Sequence, residues 1–373
     1  MEKNEFIGKN SLENIVHLSR ERKVKKILVF AGKNSFSISG AKKHLTNILS
    51  NFEHEVFYKN SSLPEINDLK KFISKINNFK PDLIIAIGGG AVLDLAKTSN
   101  CFFNSDEIEI LIQDSKYTLN KKFAPLIAIP TTAGSGAEAT ANAVVYIDKK
   151  KYSVEGELIK PDYVIIDPNL VLSTPRLIAA SAGMDAISQA IESMISMKST
   201  DISLKYSISS LNESLKSFEK HINNKTFETS YKMSIAALNA GKAISISKTT
   251  APHALSYPFT AFNGISHGHA VYLTLNDFLK FNFINIKKSN SKFDLSNRFN
   301  IIFEIFKVDN INDLTDKISK IGTNVGLENN FKKLNIVKKD LENILKNINA
   351  QRLSNNPINI NLNDIKEILN SKF

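Results

Sequence analysis

The stretch that most constrains this chain runs from Asp82 to Lys97. Asp82–Ile87 (DLIIAI) is a continuous apolar run of strand length, ends in Gly88, Gly89 and Gly90, and passes into a helical pattern over 91–103. A strand without polar alternation must be covered on both faces, which is the situation of a parallel sheet. Similar runs recur at Lys26–Ala31 (KILVFA), Pro125–Ile129 and Tyr163–Ile166 (YVII), with helical stretches near Ser39–Phe52 and over Ile66–Phe79. His54–Lys59 reads as another strand, and Val144–Asp148 with Tyr152–Val154 as a hairpin around a Lys-rich turn. This alternation predicts an α/β domain with a parallel sheet between helices. After Asp167–Pro168 the pattern changes to helical periods at 176–198, 200–220, 226–246, 269–285, 290–306, 310–326, 336–348 and 362–371. The expected organisation is an α/β domain over 1–168 and an all-helical domain over 169–373. Two domains suit a length of 373 residues at roughly 100–200 residues each.

Composition removes several function classes. The net charge is +11, but the lysines are scattered among Asn and acids, as at Lys149–Lys151 and Lys332–Lys333. No nucleic-acid-binding spacing accompanies them, so no nucleic-acid partner is expected. A positive field does favour small anionic substrates. No uncharged apolar run reaches membrane-spanning length, and Met1–Asn10 has no apolar leader segment. One cysteine, Cys101, allows neither an internal disulfide nor a cysteine metal cluster. A cytoplasmic protein without a membrane partner is expected.

Four motifs carry chemistry. In Ile84–Lys97 (IIAIGGGAVLDLAK) a strand, three glycines and a helix follow one another. Glycines let a ligand approach the backbone, and a helix N-terminus favours an anion such as a pyrophosphate. A plain tight turn would use the same residues, and the spacing is not G-x-G-x-x-G. Ile129–Thr140 (IPTTAGSGAEAT) places the hydroxyls of Thr131, Thr132 and Ser135 after a second buried strand. In Ala182–Ser193 (AGMDAISQAIES), Asp185 and Gln189 stand four apart, and Glu192 lies further along a neighbouring stripe. A carboxylate buried on such an apolar helix must be paired or metal-bound. Pro252–Ala270 (PHALSYPFTAFNGISHGHA) holds His253, His267 and His269, three of the seven histidines. Two imidazoles and one carboxylate suit Zn²⁺ with an open position, or Fe²⁺; a pair of structural histidines is the alternative.

Together these motifs resemble, in order and spacing, the iron-containing (group III) alcohol dehydrogenase family. The corresponding residues are Gly88–Lys97, Pro130–Glu138, Gly183–Ala186, and His253 with His267 fourteen residues on. The resemblance implies a dinucleotide-binding α/β domain followed by an all-α metal-binding domain, the dehydroquinate synthase-like fold. It also implies hydride transfer between NAD(P)H and an aldehyde or ketone. By the same resemblance Gly88, Gly89, Gly90, Thr131 and Thr132 line the cofactor, with Asp94 and Lys151 near its nicotinamide end. Asp185, His253 and His267 are the implied ligands of one divalent metal, Fe²⁺ or Zn²⁺.

The departures from the family pattern point to a substrate. Gln189 stands where many members have a fourth His ligand, and is at most a marginal one. Tyr257 stands where many have a second His of H-x-x-x-H. Before His253 the usual Gly- and Leu-rich segment is replaced by Ser245–Pro252 (SISKTTAP). A lysine with two hydroxyls suits a phosphorus oxyanion better than an apolar alcohol. One unit charge pair at 4 Å is worth about 4 kcal/mol at an effective dielectric of 20, before desolvation. With Q-A-I-E-S and H-G-H-A, the segment looks like the phosphonoacetaldehyde reductase branch, which forms 2-hydroxyethylphosphonate in phosphonate biosynthesis. Lys248, Thr249 and Thr250 are then the expected phosphonate binders, and His269 or Tyr257 the proton donor. The branch implies NADH. Phe30–Lys33 shows no acid to repel a 2′-phosphate, so NADPH stays open. A homodimer is compatible with this reading. Competing readings are the same class acting on a diol, lactaldehyde or sugar-acid alcohol, a dehydroquinate synthase-like lyase, and a metal-free binding protein.

Overall fold

The computed structural model describes residues 4–105 and 107–373. The chain divides into two compact units, one running through Thr174 and including Thr226–Ser234, the other Pro175–Lys225 with Ile235–Phe373. The break falls just past the expected boundary at 168, and a short segment at the start of a later helix groups with the first unit.

The first unit has a six-stranded sheet, built from β1 (Glu5–Ile7), β2 (Lys26–Gly32), β3 (Glu53–Lys59), β4 (Leu83–Gly88), β5 (Leu126–Pro130) and β8 (Tyr163–Ile166). Its order is β1-β8-β5-β4-β2-β3, and every pairing is parallel. β6 (Asn142–Ile147) and β7 (Lys150–Glu155) form a separate antiparallel hairpin. Asp148 and Lys149 turn it with positive φ at both positions, as a two-residue hairpin loop requires. The helices are α1 (Asn14–Glu21), α2 (Lys33–Ile38), α3 (Ala41–Leu49), α4 (Ile66–Phe79), α5 (Gly90–Cys101), α6 (Ile108–Gln113) and α7 (Asn169–Leu172).

The unbroken apolar strands are explained by the two cores they separate. Leu28, Phe30, Ile84, Ala86 and Leu126 face one side, where α4 contributes Leu69, Phe72 and Ile76. Ile27, Val29, Ile85, Ile87 and Ile129 face the other, with Leu45 and Leu49 of α3. Phe30 stacks on Phe72 with ring centroids 4.0 Å apart. The sequence reading missed β1, which has only three residues, and α1. It also missed α2, which Gly40, at φ 78°, divides from α3.

The second unit is helical: α8 (Arg176–Ile195), α9 (Asp201–Asn223), most of α10 (Phe227–Ser247), α11 (Ala251–Asn263), α12 (His267–Ile284), α13 (Leu295–Phe306), α14 (Ile311–Val325), α15 (Asp340–Lys346), α16 (Ala350–Leu353) and α17 (Leu362–Asn370). α8 is buried over most of its length, so its polar residues must find partners inside. α11 lies outside the helical periods expected from the sequence. Pro252 occupies its first turn, where the missing N–H costs nothing. Pro258, inside the helix, leaves the Ala254 carbonyl unbonded within it. The backbone N–H of Asn349 takes that carbonyl at 3.2 Å and docks the 349–356 segment onto α11. Among the described residues no helix is long and apolar enough to cross a membrane.

Candidate functional site

In the first unit the chain leaves β2 towards β3 on one side and later adds β4 on the other. The sheet therefore has its switch point between β2 and β4, at whose carboxyl ends α/β sheets bind ligands. Gly32 ends β2, and Gly88 ends β4. Gly89 is the N-cap of α5, whose first-turn N–H groups are free to meet an anion. A Cβ at Gly89 would meet only Thr132 Oγ1 at 3.8 Å, whereas one at Gly90 would strike Ser135 Oγ at 2.7 Å. The protein thus leaves room over Gly89 and closes around Gly90. The Thr131 hydroxyl is buried with no hydrogen-bond partner. An open glycine backbone at a helix N-terminus, beside an orphan hydroxyl, fits a dinucleotide pyrophosphate.

Asp94 and Lys151, expected near the nicotinamide end of the cofactor, have bonds of their own within the protein. Asp94 bonds Lys97 Nζ at 3.3 Å and the Val144 N–H at 3.0 Å. Burial pushes its carboxyl up against the pull of Lys97. Lys97, fully buried, also donates to the Ala137 carbonyl at 2.9 Å and Thr140 Oγ1 at 3.0 Å. Lys151 lies close enough to favour the Asp94 charge and donates to Ser153 Oγ. These bonds brace α5 against the 137–144 segment, a structural use for Asp94 that the sequence reading did not anticipate. Glu138, in the same segment, is pushed up to about 7 by burial.

The second unit gathers the metal candidates. Asp185 on α8, His253 on α11 and His267, the first residue of α12, bring their ligand atoms within 4.8 Å of one another. His253 Nε2 lies 3.2 Å and His267 Nε2 4.0 Å from Asp185 Oδ1. Gly268 makes this approach possible: a Cβ there would lie 2.0 Å from the Ser181 carbonyl oxygen and 2.6 Å from Asp185 Cβ.

The hydrogen bonds behind the imidazoles decide what faces Asp185. His253 Nδ1 lies 2.5 Å from Glu192 Oε1, and a carboxylate only accepts, so Nδ1 carries the hydrogen. Ser256 donates to the His253 carbonyl at 2.8 Å, which leaves its oxygen to accept from His267 Nδ1 at 3.3 Å. In the neutral rings both Nε2 lone pairs then point towards Asp185. His253 Nε2 and Asp185 Oδ1 are both buried without a hydrogen bond. Two acceptors held 3.2 Å apart in a buried site are what a bound cation would reconcile. Burial pushes the Asp185 carboxyl up, but His267, His253 and Gln189 outweigh it and hold the group below its ordinary range. Burial disfavours charge on His253, but Glu192 and Asp185 raise it to about 9, so that without an ion a proton on Nε2 faces Asp185 in the cation's place. Gln189 hydrogen-bonds Asp185 through its side chain, so the structure uses it to steady a ligand.

The two residues expected to donate the proton take different places. His269 is two residues, or some 200° of helix, from His267. Its Nε2 lies 2.5 Å from the Glu328 carbonyl, and it is absent from the His–Asp cluster. Tyr257 does lie at the site: its ring stacks on His267 at 5.4 Å and 13°. Burial pushes its hydroxyl up to about 12, although a hydrogen bond from the buried Arg352 works against the shift. A phenol held so high is a poor acid at neutral pH.

The three substrate candidates divide as well. Lys248 and Thr249 form the turn between α10 and α11, with Thr250 the α11 N-cap. Lys248 is half-buried and sits in the left-handed region at φ 62°, a strain of roughly 1–2 kcal/mol that surrounding bonds must hold. Asn355 supplies them: its amide nitrogen reaches Ser196 Oγ at 2.8 Å and the Ser247 and Thr249 carbonyls at 2.9 Å each. Thr250, expected to bind substrate, instead gives both its N–H and its hydroxyl to Glu192 Oε2, at 2.7 and 2.9 Å. Thr249 is the hydroxyl of the pair that Glu192 leaves untaken. Sequence reasoning missed Glu192, Arg352 and Asn355 as parts of this site. Only Glu192 carried a signal, a carboxylate on an otherwise apolar helix.

The profile of the iron-containing alcohol dehydrogenases matches residues 3–168, and that of the C-terminal part of the Fe-containing alcohol dehydrogenase family matches 179–373. An alcohol dehydrogenase of Thermococcus barophilus is 29% identical over 168 residues, 43% of this chain and 44% of that enzyme. A phosphonoacetaldehyde reductase of Streptomyces viridochromogenes is 29% identical over 218 residues, 56% of this chain and 55% of that enzyme. The chain thus matches less than two thirds of the length of these curated relatives. Among solved structures, the NAD⁺ complex of sulfoacetaldehyde reductase from Bifidobacterium kashiwanohense superposes with a TM-score of 0.87 at 26% identity. That match covers 99% of this chain and 96% of the other. An alcohol dehydrogenase from Oenococcus oeni shares the fold, with a TM-score of 0.88 at 23% identity over 100% of this chain and 98% of that one. With both of its units matched in order by the family's two profiles, the chain belongs to the iron-containing alcohol dehydrogenase family.

Proposed function

We propose that this protein is a metal-dependent NAD(P)H oxidoreductase that reduces a small anionic aldehyde, with phosphonoacetaldehyde as substrate and 2-hydroxyethylphosphonate, a phosphonate-biosynthesis product, as alcohol. The observation that carries the reading is the bracketed Lys248–Thr249 turn, which ends at Thr250, three residues before the candidate ligand His253. Asn355 holds this turn in a left-handed conformation, and such maintained strain is found where a side chain must be presented in one place. A phosphonate, like a phosphate, carries about −1.5 to −2 charges at pH 7, and its aldehyde carbon is two bonds from phosphorus. An anion site therefore has to lie close to the group that holds the carbonyl. Arg352, bonded to Tyr257 beside His267, adds a second positive charge to the same surroundings.

Asp185, His253 and His267 would hold the divalent ion, Fe²⁺ or Zn²⁺, leaving an open position. The ion would supply Lewis-acid polarisation of the substrate carbonyl. Glu192 and Ser256 keep the two imidazole lone pairs turned inward, and Gln189 steadies Asp185. Gly88–Gly90, Thr131 and Thr132 would receive the pyrophosphate of NADH, with NADPH also admitted by the acid-free end of β2. Lys248 and Thr249 would bind the phosphonate.

The similarity to a sulfoacetaldehyde reductase supports a second reading, the sulfonate analogue, which carries one charge and the same two-carbon aldehyde. The test is NAD(P)H oxidation by metal-loaded protein with phosphonoacetaldehyde, sulfoacetaldehyde, lactaldehyde and propanal, each with both cofactors. The proposal expects phosphonoacetaldehyde to have the highest kcat/KM. A preference for sulfoacetaldehyde would move the assignment to the sulfonate, and equal rates with propanal would remove the anion site.

A further inference from the structure

We infer that Glu192 is a positioning residue for the metal centre, fixing the tautomer of His253 and tying that ligand to the turn that carries Lys248. The inference rests on the reading of Asp185, His253 and His267 as metal ligands. Glu192 stands seven residues after Asp185 on α8 and is fully buried. Its two oxygens do different work. Oε1 accepts from His253 Nδ1 at 2.5 Å. Oε2 accepts from the Thr250 N–H at 2.7 Å and the Thr250 hydroxyl at 2.9 Å. Three donors converge on a group that can only accept, so the hydrogen on the imidazole is held at Nδ1 and the lone pair at Nε2. Nε2 is the atom 3.2 Å from Asp185 Oδ1. A carboxylate behind a ligating histidine orients the ring and raises its basicity. Here the same carboxylate also anchors the N-cap of α11, so the ligand and the start of its helix share one support.

Replacement by glutamine separates this role from packing. In Glu192→Gln the two Thr250 donors claim the amide oxygen, and the amide NH₂ then faces His253 Nδ1. That nitrogen must become an acceptor, which moves the hydrogen to Nε2 and aims it at Asp185, where the metal would sit. The variant keeps the size and the Thr250 bonds, so the metal-free fold should hold. Thr250→Val removes one donor to Oε2 and leaves the Nδ1 contact alone.

The experiment measures Zn²⁺ affinity by chelator competition in the full chain, with thermal unfolding of each metal-free protein alongside. Glu192→Gln is expected to weaken Zn²⁺ binding by about 10–100-fold, with the metal-free Tm within a few degrees of the parent. Thr250→Val is expected to stay within about threefold of the parent, since it leaves the ligand's own bond intact. Zn²⁺ binding by Glu192→Gln equal to the parent's overturns the inference, as does an equal loss in Thr250→Val. Independently of any variant, ¹⁵N spectra of the Zn²⁺-loaded parent should show His253 bound through Nε2 with hydrogen on Nδ1, and metal on Nδ1 overturns it. A parent chain that binds no Zn²⁺ refutes the metal-site reading itself, which separates the two failures.

Discussion

Gly268→Ala is a one-methyl change that reaches the candidate metal centre through the backbone. The new Cβ would lie 2.0 Å from the Ser181 carbonyl oxygen, 2.6 Å from Asp185 Cβ and 2.9 Å from the Asp185 nitrogen. All three belong to α8, so no flexible side chain can swing aside. Restoring an ordinary contact of 3.4 Å from 2.0 Å requires the first turn of α12 to retreat by about 1.4 Å. His267 is the adjacent residue and moves with it, away from an oxygen that its Nε2 now faces at 4.0 Å. Metal–ligand distances tolerate only about ±0.2 Å, so the shift removes one of three ligands. Overpacking of this kind costs roughly 1–3 kcal/mol and lowers Tm by several degrees. Zn²⁺ titration and thermal unfolding, each with and without metal, read the two effects separately. The expected result is loss of more than about tenfold in affinity, together with a lower metal-free Tm. His267→Ala should show the affinity loss without the overpacking penalty. A Gly268→Ala protein that binds Zn²⁺ like the parent would refute the argument that this close approach sets the ligand geometry.

Gly89→Val places a branched side chain in the space over the α5 N-terminus, where a Cβ meets nothing nearer than 3.8 Å. It should abolish NADH binding in a fluorescence titration while leaving Tm near the parent value, and undiminished binding would move the cofactor elsewhere. Glu138, raised by burial to about 7 in the fold, binds a proton there that the unfolded chain releases between its ordinary carboxylate value and that pH. Its contribution to stability is therefore present at low pH and is lost as pH rises through about 7. Glu138→Gln should remove that slope, gaining on the order of 3 kcal/mol over the parent at pH 8 relative to pH 4, measured by urea unfolding at both pH values. Parallel pH profiles for the two proteins would show that Glu138 is not held protonated.

The central strands of the sheet could be read because they are apolar on both faces, and Tyr163–Ile166 was located to the residue. The Asp185, His253 and His267 cluster was legible from residue type and spacing together with the family resemblance. The helix carrying His253 was not, because Pro252 and Pro258 suppress a helical reading. Both are accommodated by context, one by position in the first turn and the other by Asn349 taking the Ala254 carbonyl. The bond of Thr250 was illegible for a related reason: its hydroxyl donates to a carboxylate 58 positions earlier in the chain. Asn355 and Arg352 lie about a hundred residues beyond the turn and the tyrosine to which they bond. No periodicity links them to it, since only the docking of the 349–356 segment brings them there.

The claim that the site is built for an anionic aldehyde is tested most directly by the selectivity of Lys248→Ala. Truncating one partner of a buried, hydrogen-bonded charge pair costs roughly 2–5 kcal/mol, which is about a 30- to 5,000-fold fall in kcat/KM for phosphonoacetaldehyde. Propanal, with no charge to bind, should change by less than about threefold. Loss of both substrates in equal measure would make Lys248 a structural residue of the turn and would contradict the account.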